Sequence, residues 1–537
     1  MFQYLISLVK HFAGSYFKSL DLTNISDHLR ISPRSCIRVG IVGGGMGGCM
    51  CSYYLSKLFR SPEDVQINIF NVDTVEKSFS LDRPLGGRTM TVKFAGGVYE
   101  IGGSVIHDAN KHVCDLIAKF GLEKNQDKKD DGRMAIFDTE SPSVKFRTNG
   151  WFDFIKTIWY FGLINFLTLK YLVDRCVSKF KNIYTMQNDG FSFVTVGDML
   201  RAMGRTEYYN LMKTNATIYF QKYFNTRFIN ELISCGTRCN YGQNVKEMNA
   251  FAALVSCAGM DSDSLFSIKG GNVILANKCA EESNAIILNE KVVSVNFEKP
   301  WNTIVVTEGG GVYNFDVVII ACPLEEADFT LEPYYPLKKF AFHRTVATLV
   351  YGVPQVVRNV TEIFTSEIHR NNLEENESHP DFNFNSISLC FPVDADAAAC
   401  SKIIKSSLAG KPAVWKIFTQ QPVTKEELKL WFKFESSQDS NGTKGDNEEP
   451  ENVLAVDWMA YPQFDDQLGD AYPFLIQSNP YSAGGGAPTG HSAGTLFYIN
   501  AIERAASAIE MVAIGAKNVS LLVRQHLLAS GVVDEMK

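Results

Sequence analysis

IRVGIVGGGMGGCMCSYYLSKLF, Ile37 to Phe59, carries a strand, a turn and a helix in that order. Ile37 to Val42 is short, apolar and β-branched, which predicts a buried strand. Glycines follow at once, Gly43-Gly44-Gly45-Met46-Gly47-Gly48. Beyond them Tyr53, Tyr54, Leu55 and Leu58 are spaced for the apolar face of a helix, which Ser61-Pro62 ends. Val65 to Phe70 alternates and predicts a second strand, so this is a βαβ start. The pattern Gly43-x-Gly45-x-x-Gly48 between strand and helix is a dinucleotide-binding turn. Gly43 permits the tight turn, Gly45 lets the backbone approach a pyrophosphate, and Gly48 lets helix and strand pack closely. The helix start, with Met46 and Gly47, supplies N–H donors and positive potential.

An acidic residue is expected after the second strand, where a carboxylate would accept both ribose hydroxyls. Asn71 stands at that place and Asp73 lies two residues on. Two more glycine signals follow: Leu85-Gly86-Gly87-Arg88, then Tyr99-Glu100-Ile101-Gly102-Gly103-Ser104.

At 537 residues the chain is too long for one ordinary core. Apolar residues make up 45% and charged residues 21%, as in folded soluble proteins, which excludes disorder for the bulk of the chain. Fifty-two basic against 59 acidic side chains leave −7, so no general basic face points to nucleic acid. Twelve cysteines are scattered, with no CxxC and no Cys/His cluster at zinc spacing, so no metal site is expected. Cys235 and Cys239 are four apart and read as small buried residues of one helix.

MFQYLISLV at the start is too short to span a bilayer and lacks a basic flank, so any signal peptide is poorly formed. Asn-x-Ser/Thr acceptors at Asn24, Asn215, Asn359, Asn376, Asn441 and Asn518 lean only slightly toward a secretory route. The run Trp151 to Val173 is rich in aromatics but interrupted by Asp153, Lys156 and Lys170. It reads either as a buried helix pair or as a surface helix that touches a membrane or lines an apolar tunnel. Asp108 to Leu122 reads as helix; Val292 to Phe297, Thr303 to Thr307 and Val317 to Ala321 read as strands. Segments 368–381, 435–451 and 478–494 are polar or glycine-rich and read as surface insertions. The chain closes with a strand and a long helix.

The three glycine signals in this order resemble the flavoprotein family that includes amine oxidases and GDP-dissociation inhibitors, and favour FAD over NAD. More closely, the chain resembles the prenylcysteine oxidase family, from about Cys36 to about Leu527. The resemblance is carried by YEIGGSVIH (99–107), NGWFDFIKTIWYFG (149–162), NYGQNVKEMNAFAALVS (240–256), IKGGN (268–272), VATLV (346–350), VWKIFTQ (414–420) and YINAIERAASAIEM (498–511). It implies an α/β fold: a Rossmann-like FAD-binding domain made of 37–135, 240–330 and 490–530. A discontinuous α+β substrate domain takes 136–239 and 331–489, and 1–36 forms an N-terminal segment.

Residue by residue, the resemblance places Gly86, Gly87 and Arg88 along the pyrophosphate and Gly102, Gly103 and Ser104 near the isoalloxazine. Val292 would meet the adenine, and Glu503 would bond the ribityl or pyrophosphate region. Ile509, Glu510 and Met511 would open a helix aimed at the flavin, where a helix start stabilises the anionic reduced ring. His107, after the glycine turn, is a candidate proton acceptor and His343 a weaker one. Amine oxidases of this fold usually place a lysine in the strand read here at Thr345 to Leu349, where none stands. Lys416 is read as outward-facing. The implied activity is oxidative cleavage of S-farnesyl- or S-geranylgeranyl-cysteine to cysteine and a prenyl aldehyde, with oxygen yielding hydrogen peroxide. The family's compartment is lysosomal. Two rivals stand beside it: an amine oxidase, and a flavin-free prenyl-binding escort protein.

Overall fold

A computed structural model describes residues 36–72, 85–125, 133–139, 141–148, 152–260, 264–297, 299, 301–333, 340–366, 382–434, 452–464, 472–477 and 495–536. Met1 to Val9, Asn24, Asp73, Asn376, Asn441 and the insertions 368–381, 435–451 and 478–494 lie outside the described residues.

Six strands form the first sheet: β1 (Ile37–Val42), β2 (Val65–Phe70), β3 (Ile286–Leu288), β4 (Val317–Ile320), β5 (Leu475–Gln477) and β6 (Thr495–Tyr498). Their order is β3-β2-β1-β4-β6-β5. All neighbours are parallel except the edge pair β5 and β6. The chain leaves β1 for β2 on one side and later returns to β4 on the other, so the order reverses at the carboxyl end of β1. Open parallel sheets bind ligands at such a point. β4 is buried at every position, as expected of a strand covered on both faces.

The helices that matter for the site are α1 (Met46–Ser56), α2 (Lys111–Lys119), α3 (Asp153–Phe161), α4 (Leu163–Phe180) and α5 (Ile509–Ala529). α5 lies against α1 where glycine leaves room: a Cβ on Gly47 would come within 2.8 Å of Val512. The second large sheet has eight strands. In it the long strand Phe342–Pro354 pairs antiparallel with Ala413–Thr419 on one side and Val453–Pro462 on the other. Trp415, Phe384, Trp431 and Phe432 fill the core on its far face.

Two sequence expectations change here. The buried reading of the run falls and the surface reading stands: from Phe152 on it is a helix pair in which α3 and α4 hold only their inner faces, Phe161, Leu169, Leu172 and Cys176, against the protein. Of the glycosylation acceptors, Asn518 is fully buried in α5, its amide bonded both ways to the Phe193 backbone, so no glycan fits there.

Candidate active site

The glycine turn sits at the reversal of strand order, and each glycine has its own reason. Gly43 adopts φ +117° and its amide donates to Phe70 O at 2.9 Å, a left-handed corner that a side chain would strain. A Cβ on Gly48 would overlap the Gly43 carbonyl oxygen, so helix and strand touch there. Gly45 differs. A Cβ on it would meet nothing nearer than Gly87 Cα at 3.8 Å, and it starts α1 without a capping side chain. A Cβ at Gly45 would make only ordinary contact, and the first amides of α1, which have no intrahelical partners, lie here.

The second glycine signal lies across this space. Gly86 N donates to Gly44 O at 2.9 Å. Arg88 donates to Ala460 O at 2.6 Å and is paired with Glu503. Burial works against the charged guanidinium, but Glu503 outweighs it and Arg88 is held above its ordinary value. Glu503 is 1% exposed, so its carboxylate belongs to the cavity and not to the outer surface. One oxygen takes Arg88 and Asn500 Nδ2. The other, Oε2, is buried with no hydrogen-bond partner among the described residues. A buried acceptor in this state asks for a donor such as a hydroxyl.

The third signal, Gly102-Gly103-Ser104, is pinned from below. Gly103 N donates to Arg88 O at 2.8 Å. Asn272, fully buried, donates to Gly103 O at 3.0 Å and orders the Ile268 amide through its Oδ1. Its own amide donates to Glu100 Oε1 at 2.5 Å. Asn272 thus explains the IKGGN stretch, which the sequence marked without assigning a task.

These pieces line one cavity of about 2080 Å³. Sites for a single small molecule run about 300–1,000 Å³, so this one holds a dinucleotide with room beside it. Its wall includes Met46, Asn71, Val292, Glu503, Ile509, Glu510 and Met511 together with His107. Away from the glycines the wall turns apolar: Cys176, Val177 and Phe180 of α4, Leu232, Cys235, Leu254, Val255 and Ala258. Cys235 and Cys239 both line it, and burial raises both thiols, so they are inert. Burial likewise pushes the Tyr461 hydroxyl up to about 12, partly offset by Arg88.

Some candidates are placed differently from expectation. His343 lines a separate cavity of about 280 Å³ with Arg238 and Asn385, so it cannot touch a substrate beside the glycine turns. His107 faces the main cavity, and its Nδ1 accepts from Ala109 N at 2.9 Å, leaving Nε2 for a ligand. Asn71 packs on Gly44, its Oδ1 2.5 Å from where a Gly44 Cβ would stand, and its backbone amide is bonded to Leu288 O. α5 begins at Ile509 without a side-chain cap. The Glu510 carboxylate, however, turns to the start of α2, accepting from His112 N at 2.8 Å and Val113 N at 3.0 Å.

Lys416 overturns its reading. It is 8% exposed, lines the main cavity, and donates to Ser104 Oγ at 3.0 Å. It sits opposite Leu349 in the strand register, so the sheet supplies a lysine beside the glycine turn from the neighbouring strand. The only sequence signal was a cation inside the apolar run AVWKIFT. Thr345 Oγ1 and Trp458 Nε1, also in this wall, are buried with no partner among the described residues. Buried polar atoms left open around an open glycine cradle fit an FAD-sized group held by Gly45, Arg88, Ser104, Glu503 and the start of α5.

Comparison with known proteins agrees with this arrangement. Residues 145–534 match the family model described as prenylcysteine lyase, and residues 41–120 match an NAD(P)-binding Rossmann-like domain. Prenylcysteine oxidase 1 of Bos taurus is 28% identical over 512 residues, covering 90% of this chain and 88% of the relative. Prenylcysteine oxidase 1-like of Homo sapiens is 26% identical over 518 residues, covering 90% of each. Among solved structures, a putrescine oxidase triple mutant superposes with a TM-score of 0.54 at 13% identity, covering 91% of this chain and 99% of that one. Cyclohexylamine oxidase from Brevibacterium oxydans superposes at 0.51 and 12%, covering 92% and 99%. At these identities the structural matches speak for the fold.

Proposed function

The chain belongs to the prenylcysteine lyase family, and from that we propose that it is an FAD-dependent oxidase that cleaves the thioether of S-farnesyl- or S-geranylgeranyl-L-cysteine. The net reaction takes the thioether, water and oxygen to free cysteine, a prenyl aldehyde and hydrogen peroxide. The observation that carries this reading is the two-ended cavity. One end is three glycine turns and a helix start; the other is an apolar channel ending on α4. An isoprenoid chain needs such an apolar end, and a polyamine does not.

Bound FAD would supply the two-electron acceptor, which is why no protein nucleophile is required. The chain's own residues do the rest. Gly45 and the start of α1 would leave room and amides for the pyrophosphate, Arg88 and Glu503 would hold the middle of the cofactor, and the amides of Ile509 to Met511 would offer positive potential. The apolar channel aligns the prenyl carbon next to sulfur and excludes water from the prenyl chain. Lys416, fixed on Ser104, can hold a water at this wall, and His107 Nε2 can hold a water or take a proton there. Oxygen as acceptor, a lysosomal or secretory compartment and peripheral membrane contact through 151–173 belong to the same reading.

The amine-oxidase reading keeps one observation in its favour. The absence of a lysine from Thr345 to Leu349 counted against it, and Lys416 removes that argument. The test is peroxide release from the purified protein with farnesylcysteine, geranylgeranylcysteine and a panel of mono-, di- and polyamines. Peroxide and a prenyl aldehyde from the thioethers alone are expected; release from amines alone would transfer the assignment to amine oxidation.

A further inference from the structure

α3 and α4 meet at Gly162, whose φ of +87° turns the corner between them. Their inner faces are anchored through Phe161 and Phe166, whose rings meet Phe228 edge-on at 6.1 and 5.7 Å. Their outer faces are bare. Phe154, Ile155, Trp159, Ile164, Leu167 and Tyr171 are 75, 64, 84, 79, 58 and 60% exposed. Side chains this exposed project from the surface, and an apolar patch this dense marks a docking face.

Three observations say what covers it. From Asp153 to Lys181 there are five basic side chains (Lys156, Lys170, Arg175, Lys179, Lys181) and two acidic ones (Asp153, Asp174), in a chain of net charge −7. Lys170 pairs with Asp174, and Arg175 and Lys179 share Glu207, so with Glu207 counted the excess is two basic side chains; an apolar patch with a cationic excess is complementary to anionic headgroups over acyl chains. No described helix is long and apolar enough to cross a membrane, and a helix pair anchored on one face and apolar on the other has the form that lies in an interface. Finally, α4 runs from the patch into the cavity wall. Ile164 to Phe180 spans about 24 Å at helical rise, and exposed Lys181 lines the cavity mouth.

We propose that the α3–α4 corner seats the protein on the surface of an anionic lipid leaflet, with α4 in the plane and its far end presenting the cavity mouth at that surface. An amphiphilic thioether dissolved in the leaflet then reaches the apolar channel without crossing bulk water. This inference rests on the prenylcysteine reading for the identity of the cargo, but not for the docking itself.

The test uses the full-length protein and co-flotation with phosphatidylcholine vesicles with and without phosphatidylserine. Binding is expected with phosphatidylserine and should weaken as salt rises. Trp159→Glu together with Ile164→Glu should lower vesicle partitioning by about tenfold or more, since each removes an apolar anchor. Lys156→Glu with Lys170→Glu should remove the preference for phosphatidylserine. A bound chromophore and a cooperative melt like the wild type's certify each variant as folded. Absence of wild-type binding to either vesicle overturns the proposal, as does a self-association in sedimentation that the same two variants abolish. Because partitioning is read without turnover, an inactive but vesicle-bound protein would refute the substrate reading and leave the docking face standing.

Discussion

Lys416 Nζ donates to Ser104 Oγ at 3.0 Å, tying the middle of the antiparallel sheet to the third glycine turn across 312 residues. A buried ammonium is expensive to keep. Its remaining contacts are the Glu100 carbonyl at 3.5 Å and the Phe418 ring at 5.1 Å, and no carboxylate pairs with it among the described ion pairs.

Lys416→Met is accordingly expected to keep the fold and the cofactor, with thermal stability unchanged or raised, because a methionine fills the same space without a buried charge. Turnover should fall by about 100-fold, the scale of one positioned proton-handling group. Stopped-flow reduction and flavin content check it. Unchanged reduction with full flavin would assign Lys416 to structure alone.

The glycines separate binding from folding. Gly45→Val places a side chain at ordinary contact distance from Gly87, so the protein should fold and lose its cofactor. Gly48→Ala drives a Cβ onto the Gly43 carbonyl, so it should lower the melting temperature of the protein itself. Absorbance at the flavin bands and a thermal melt of each variant distinguish them. Normal flavin content in Gly45→Val would contradict the placement of the pyrophosphate.

Glu503→Gln removes the charge that holds Arg88 but keeps the shape. A buried pair that loses one charge costs about 3–5 kcal/mol, part of it relieved here because the Arg88 side chain is 32% exposed. The variant should melt lower and release its flavin at least about tenfold faster. Equal flavin retention would show that Glu503 serves only Arg88.

Burial raises the Glu510 carboxyl from 4.5 to about 7, against the pull of the Val113 and His112 amides. The folded state therefore binds this proton more tightly than the unfolded chain. The stability it contributes is fully present below about pH 4.5 and is lost as pH rises through about 7. His112 and His526, held down to about 4 by burial, work the opposite way: their contribution is present above about pH 6.5 and is lost as pH falls toward 4. The difference between wild type and Glu510→Gln cancels the histidines. That difference in melting temperature should shift in favour of the variant between about pH 5 and pH 8; a constant difference would place the Glu510 pKa near its ordinary value.

Much of the nucleotide end was legible because its signals are local. β1 and β2 run over the expected residues, and α5 starts at Ile509 as read. Glycine spacing, β-branched runs and a helix start act over a few residues. What failed to show depends on partners far along the chain. Lys416 looked outward because strand alternation alone cannot say which sheet face is a cavity wall. His343, the weaker histidine candidate, lies in a separate cavity beside Arg238 and Asn385, and no local signal shows that. Composition left the α3–α4 run open between a buried pair and a surface helix; only its packing, with a bare outer face, decides for the surface.

The most direct measurement is the visible absorption spectrum of the purified protein before and after anaerobic farnesylcysteine. A yellow protein with flavin bands that bleach on addition is expected. A yellow protein that farnesylcysteine leaves unchanged, or a colourless one that FAD cannot reconstitute, would contradict it.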